Sequence, residues 1–208
     1  MSQTDAVPVE PQLDTMAKLG GWLFQRRTWL PLPIAATLLA LPKARLSVST
    51  PGLWLGMPLI VAGELLRLWG VRHIGAVSRT RSDRLGPLVA SGPFSRVRNP
   101  LYVGNILLWA GFTVSAELLP CLVPVVALLA FEYHAIVRWE ERLLTRRLGT
   151  PYVVYMERVP RWLPGLRPAQ GTGTATFSWR QTLYSERGTL MAIAAGYLLL
   201  AIKAGLSN

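Results

Sequence analysis

The sequence is short of charge, of cysteine and of histidine. Only 16% of its 208 residues are Asp, Glu, Lys or Arg, against about 25% in a soluble domain, too few to solvate an ordinary globular surface. The single Cys121 excludes a disulfide scaffold. With only two histidines beside it, the chain is expected to carry no structural zinc or other metal. Acidic residues are scarce as well, 11 against 22 Lys and Arg. What is abundant is apolar, 51% of the chain, with a mean hydropathy of +0.32 and a pI near 10.8. That content excludes disorder, and the length excludes a large multidomain enzyme. Nucleic acid would explain the basicity alone. An integral membrane protein with basic cytoplasmic loops explains the hydropathy too, so no nucleic-acid partner is expected.

A helix crossing a hydrocarbon core of roughly 30 Å needs about 20 residues. Gly52–Val71, Leu101–Pro120, Leu119–Val137 and Gly188–Leu206 meet that length or nearly so. Thr28–Pro42 is shorter, carries three prolines and is counted as a thin or tilted span. The expected fold is therefore all-α, an integral membrane protein with about five transmembrane helices. The polar, partly acidic start is not a signal peptide. With five spans, 19 of the basic residues fall on one face and 3 on the other. The N-terminus and the two long loops, 72–99 and 138–187, are thus expected in the cytoplasm, with the C-terminus outside. The tight link around Glu117–Pro120 predicts an antiparallel helical hairpin.

Three runs carry chemistry. In SGPFSRVRNPLYVGN, residues 91–105, Gly92-Pro93 is a turn, and Asn99-Pro100 starts a helix with Asn99 as its cap. Such a helix start, flanked by Arg96 and Arg98, suits a carboxylate or phosphate. Gly104 removes a side chain one turn in, where a ligand or another helix can approach. The alternative is that these arginines are plain membrane anchors and Gly104 plain packing. In FEYHAIVRWEERLLTRR, residues 131–147, Glu140 lies on an apolar helix face with no local basic partner, whereas Glu141 has Arg138 three residues before it. Glu140 therefore serves either a ligand or an arginine of a neighbouring loop. In GTPYVVYMERVPRWLP, residues 149–164, Gly149 and Pro151 stop the long helix, and Tyr152, Tyr155 and Trp162 suit a membrane interface, with Arg158 and Arg161 among them. Glu64 and Arg67, three apart in the second span, are expected to pair with each other. His134, near Glu132, reads as a hydrogen-bonded interior histidine.

Gly92-Pro93-Phe94, then Arg98-Asn99-Pro100-Leu101-Tyr102-Val103-Gly104, Glu140-Glu141 and finally Leu148-Gly149, Tyr152, Tyr155 and Val159-Pro160 stand in this order over roughly residues 60–165. In this the chain resembles the isoprenylcysteine carboxyl methyltransferase and phospholipid methyltransferase superfamily. The resemblance implies an S-adenosylmethionine-dependent membrane methyltransferase with a cytoplasm-facing cofactor pocket. By similarity, Arg98, Asn99, Tyr102, Gly104, Glu140, Glu141, Tyr152 and Tyr155 belong to the cofactor site. Arg158 stands beside the transferring methyl as the catalytic residue. The family often has histidine where this chain has Asn99, which argues against proton chemistry there. The implied organisation is a tail over 1–20, the methyltransferase domain over 21–164, a linker over 165–187 and an additional span over 188–208. The implied partner is a lipophilic acceptor entering from the bilayer, an isoprenylcysteine-like carboxylate or a lipid head group, among membrane lipids. Two rival readings are a membrane scaffold that binds no cofactor and a sterol-reductase-like enzyme that binds NADPH. The sequence leaves the oligomeric state open.

Overall fold

A computed structural model describes residues 14–42, 52–75, 88–169 and 175–206. Residues 1–13 of the expected tail, 76–87 of the first basic loop and 170–174 of the linker lie outside the described residues. Among the described residues the regular structure is helical, with no strands, as expected. In order they are α1 (Thr15–Arg26), α2 (Pro31–Ala40), α3 (Gly52–Leu55), α4 (Met57–Ile74), α5 (Pro100–Ser115), α6 (Leu122–Leu148), α7 (Thr150–Arg158) and α8 (Trp179–Leu206), with single 3-10 turns at Gly92–Ser95 and Leu119–Cys121.

Two segments among them are long and apolar enough to cross a bilayer, Leu119–Leu148 and Trp179–Gly205. The helices over the other expected spans, Thr28–Pro42, Gly52–Val71 and Leu101–Pro120, do not combine that length and apolarity among the described residues. Pro31–Ala40 and Pro100–Ser115 are apolar but short. The ten residues of α2 reach about 15 Å, half the hydrocarbon thickness. Hydropathy counts apolar residues, whereas prolines and turn residues decide how many of them one helix contains. Residues 15–20, expected in the tail, are instead the first turns of α1. Asp14 caps that helix by accepting from the Ala17 N–H at 2.7 Å, and the Arg138 and Arg142 guanidinium groups of α6 bind the same carboxylate.

Helices α4 and α5 pack backbone to backbone on glycines. A Cβ on Gly56 would stand 1.9 Å from the Gly111 carbonyl oxygen, and one on Gly63 2.7 Å from that of Gly104. Seven residues separate the contacts on each antiparallel helix, two turns, so the same face returns. In lipid, where apolar burial does not drive helices together, close contact of small residues does. The hairpin between α5 and α6 forms as expected. It turns on Glu117 in left-handed backbone, φ 58°, with the Leu118 N–H returning to the Thr113 carbonyl at 3.2 Å. At its far end α6 stops at Gly149, φ 62°, a conformation in which a Cβ is strained. The 27 residues of α6 extend about 40 Å, longer than a hydrocarbon core, so the Glu140–Arg147 end stands beyond the apolar run. Helix α8 points Leu183, Met191, Leu198 and Ile202 outward, a face suited to lipid rather than water.

Candidate functional site

The site is built where the start of α5, the polar end of α6 and the stretch after α7 meet. The turn at Gly92–Ser95 is seated on α4 by the His73 ring, which occupies the space a Cβ on Gly92 would need, and by His73 Nδ1 2.9 Å from Ser91 Oγ. From there the chain is stitched to the stretch after α7. The Arg98 N–H donates to Pro160 O at 2.9 Å, Gly165 N–H to Arg96 O at 2.8 Å and Ala169 N–H to Ser95 O at 2.8 Å. Asn99 stands at the N-cap of α5, but its side chain makes no capping bond. Its Nδ2 instead donates to Arg161 O at 3.2 Å. The expected cap is therefore a tether, and the first N–H groups of α5 are left without a side-chain acceptor from Asn99.

Glu141 does not pair with Arg138, which bonds Asp14 instead. Its partners come from both stitched strands. Glu141 Oε1 lies 3.1 Å from Arg98 Nη1, and the Arg161 guanidinium donates through Nε at 3.1 Å and through Nη2 to Oε2. The clamp is largely out of water, with the Glu141 side chain 10% exposed and Arg98 11%. Arg98 keeps one buried donor, Nε, with no hydrogen-bond partner among the described residues.

Glu140 faces another way. Its Oε1 accepts from the Tyr102 hydroxyl at 2.9 Å, and the Tyr102 ring stacks on Tyr133, centroids 4.7 Å apart. Arg27, at the end of α1, is close enough to act electrostatically on Glu140 and Tyr102. Below the clamp, Tyr152 and Tyr155 sit with ring centroids 5.8 Å apart. Burial raises both phenols above their ordinary pKa, so they remain protonated donors, and the Tyr155 hydroxyl donates to Phe94 O at 2.8 Å.

The structure thus brings together Arg98, Asn99, Tyr102, Glu140, Glu141, Tyr152 and Tyr155. It does not bring Gly104, which faces α4: a Cβ there would meet Arg67 Cγ at 2.6 Å and Gly63 O at 2.8 Å. Arg158 is exposed at the end of α7 and contributes nothing to the clamp. Three residues later, Arg161 does. Arg27, read from the sequence only as a basic residue before the first span, is a site residue that sequence reasoning passed over, and Arg161, named there only among the groups of the third run, takes the place at the clamp. An open cavity of about 610 Å³ lies elsewhere, at the α1–α2 elbow, lined by Gln25, Arg26, Trp29, Leu30 and Pro33. With one ionisable residue it offers no chemistry to match the clamp.

The segment holding the hairpin and both glutamates is the one that comparison recognises, matching the model of the phospholipid methyltransferase family over residues 51–150. That family is described as one of phospholipid methyltransferases. The chain is 32% identical over 129 residues to the cobalt-zinc-cadmium resistance protein CzcN of Cupriavidus metallidurans, covering 62% of this chain and 56% of that protein. It is 29% identical over 119 residues to the nickel-cobalt-cadmium resistance protein NccN of Alcaligenes xylosoxydans xylosoxydans, covering 57% and 53%. The chain spans about half the length of these curated relatives. No solved structure matches it. Among the described residues no group of three or more His, Cys, Asp or Glu could hold a metal ion.

Proposed function

We propose that this chain is an S-adenosylmethionine-dependent methyltransferase that methylates a lipophilic acceptor at the cytoplasmic face of a membrane. The observation that carries the reading is the pairing of an acidic and a cationic feature at one helix start. The orphaned buried Nε–H of Arg98, beside the open first turn of α5, is complementary to a carboxylate. Glu140 accepts only from Tyr102 among the described residues and is complementary to an ammonium or to ribose hydroxyls. A zwitterionic amino-acid tail next to a sugar needs both, so the residues present fit the donor. When bound, that donor supplies an electrophilic methyl on a sulfonium.

The chain's own part is positioning and water exclusion. Glu141, already saturated by Arg98 and Arg161, holds the two strands of the site at fixed spacing rather than meeting ligand. Tyr152 and Tyr155 floor the site with apolar ring surface, which favours a reaction that consumes a positive charge. Arg158, exposed on the same stretch, meets the acceptor's polar head rather than the donor. The remaining finer points are part of the same proposal: helices α2, α3–α4, α5, α6 and α8 as five membrane segments, a cytoplasmic N-terminus and a C-terminus outside, following the 19 to 3 distribution of basic residues.

The test is to supply membranes from cells with and without this chain with S-adenosylmethionine labelled at the methyl, then extract the lipids. Label in a lipid species only where the chain is present supports the proposal. Purified protein that binds NADPH but not S-adenosylhomocysteine favours the reductase reading, and protein that binds neither favours the scaffold. Because both curated relatives are named for metal resistance, the labelled species should also be compared in cells grown with and without cobalt and cadmium.

A further inference from the structure

Two polar side chains stand where the chain would use them as caps, and neither caps. Ser91 is at the N-cap of the turn Gly92–Ser95 without a capping bond from its side chain, and Asn99 holds the same place on α5. At that position serine and asparagine ordinarily accept from an N–H of the first turn. Here both reach out of their own element. Asn99 Nδ2 donates to Arg161 O at 3.2 Å, and Ser91 Oγ lies 2.9 Å from His73 Nδ1 at the end of α4. Residues 91–99 are thus held at one end by α4 and at the other by the stretch after α7.

His73 is a firm support for its end. Ser91 is 8% exposed, and a buried hydroxyl that loses its partner is costly. A Cβ on Gly92 would stand 2.4 Å from the His73 ring, and Gly92 has a φ of 59°, so only glycine admits both the ring and the turn. Behind the ring, Thr176 Oγ1 donates to His73 O at 2.9 Å and the Phe177 N–H to Arg72 O at 3.0 Å. Those are carbonyls that the end of α4 would otherwise leave open. The segment ahead of α8 therefore fixes the turn of α4 from which His73 projects.

The groups that hang on residues 91–99 are those of the candidate site. The stretch is cross-braced, with the Phe94 N–H on Ser91 O at 3.2 Å, Ser95 Oγ on Gly92 O at 2.7 Å, and the Arg96 and Val97 N–H groups on Pro93 O at 3.0 Å each. Phe94 O accepts from the Tyr155 hydroxyl at 2.8 Å, and Arg96 O accepts from the Gly165 N–H at 2.8 Å. Two residues on is Arg98, with Nη1 3.1 Å from Glu141 Oε1 and Nε buried without a partner. We propose that His73 is a positioning residue: through Ser91 it sets residues 91–99, and with them the Arg98 guanidinium that meets the carboxylate of the methyl donor. This rests on the assignment of Arg98 to that carboxylate under the proposed function. The contrary reading is that His73 only fastens the turn to α4.

The experiment uses the full chain in detergent, with calorimetry against S-adenosylhomocysteine and fluorine NMR of 3-fluorotyrosine in place of Tyr155. His73→Phe keeps a ring over Gly92 and loses the bond. Ser91→Ala loses the same bond from the other side and removes no cap, since Ser91 makes none. Each is expected to weaken binding about tenfold, within the range for coupled groups, and to move the fluorine resonance in the same direction. The double variant should be no weaker than either single one, because the same bond is cut in all three. His73→Asn can put a polar atom where Nδ1 stands and should restore affinity to within about twofold of the parent. If His73→Phe and Ser91→Ala lower the melting temperature but leave affinity and resonance at parental values, His73 is a fastening only and the proposal falls. It falls equally if the losses add in the double variant, or if His73→Asn binds as weakly as His73→Phe. Should His73→Phe fail to fold, Ser91→Ala alone decides: lost affinity with a shifted resonance supports the positioning, and no change in either refutes it. If the parent binds no S-adenosylhomocysteine, the proposed function fails. A common shift of the fluorine resonance in the two variants then still supports His73 as the residue that sets the turn, and no shift refutes it.

Discussion

Glu141→Gln keeps the side chain's shape but removes its charge and turns one of its two acceptor oxygens into an NH2 donor, so it tests what the clamp is worth. Three contacts are affected, from Arg98 Nη1 and Arg161 Nε at 3.1 Å and from Arg161 Nη2 at 2.5 Å. A hydrogen bond to a charged group contributes about 1.5–3 kcal/mol and a neutral one about 0.5–1.5, so each contact loses about 1 kcal/mol. Three give about 3 kcal/mol. The Arg161 side chain is 30% exposed, and water replaces part of its loss, which leaves about 2 kcal/mol. For a chain of this size that lowers the melting temperature by about 4–8 °C. The assay is thermal unfolding in detergent followed by tryptophan fluorescence. Glu140→Gln is the comparison. It weakens one contact, from the Tyr102 hydroxyl, so it should lower the melting temperature by about 2–4 °C. Its larger effect should be on S-adenosylhomocysteine affinity, weakened about 10- to 150-fold by loss of a charge-assisted bond to ligand. A Glu141→Gln protein that melts within 1 °C of the parent, about the precision of the assay, would refute the clamp. Normal affinity in Glu140→Gln together with lost affinity in Glu141→Gln would reverse the two roles.

Gly104→Ala places a Cβ against Arg67 and the Gly63 carbonyl and should destabilise the protein by about 1–3 kcal/mol in the same melting assay. Gly188→Ala, on α8 with nothing within 4 Å, should stabilise it by about 0.5–1 kcal/mol. Arg158→Ala should leave melting and S-adenosylhomocysteine affinity at parental values and lower methyl transfer to lipid, since the group is exposed and meets only the acceptor. Unchanged transfer would remove Arg158 from the reaction. The Ala17 N–H, with Arg138 and Arg142, holds the Asp14 carboxyl below the ordinary value of 3.8. A depressed folded value means the stabilisation is complete above about pH 4 and fades as pH falls through the folded value. Hydrogen exchange of the first turns of α1 should therefore be flat from pH 7 to about pH 4 and accelerate below it, beyond the intrinsic pH dependence.

The sequence by itself determined the all-helical class, the stop at Gly149, the hairpin at Glu117 and the family-bearing order from Arg98 to Val159. Each is local, decided by apolar length or by one residue's backbone preference within a turn or two. It also placed Glu140 and Glu141 side by side and pointed them apart, because adjacent helical residues diverge by about 100°. Tertiary structure alone decided what each one meets. Arg138, three residues away and the natural partner by spacing, is taken by Asp14 from α1, and Glu141 goes to Arg98 and Arg161 because the stretch after α7 docks on the turn before α5. Gly104 has no side chain to announce its facing. The rotation of α4 turned it toward Arg67, where close packing of glycines outweighs any ligand's claim. An ion pair is chosen by which elements come into contact, and no pattern along a single helix contains that information.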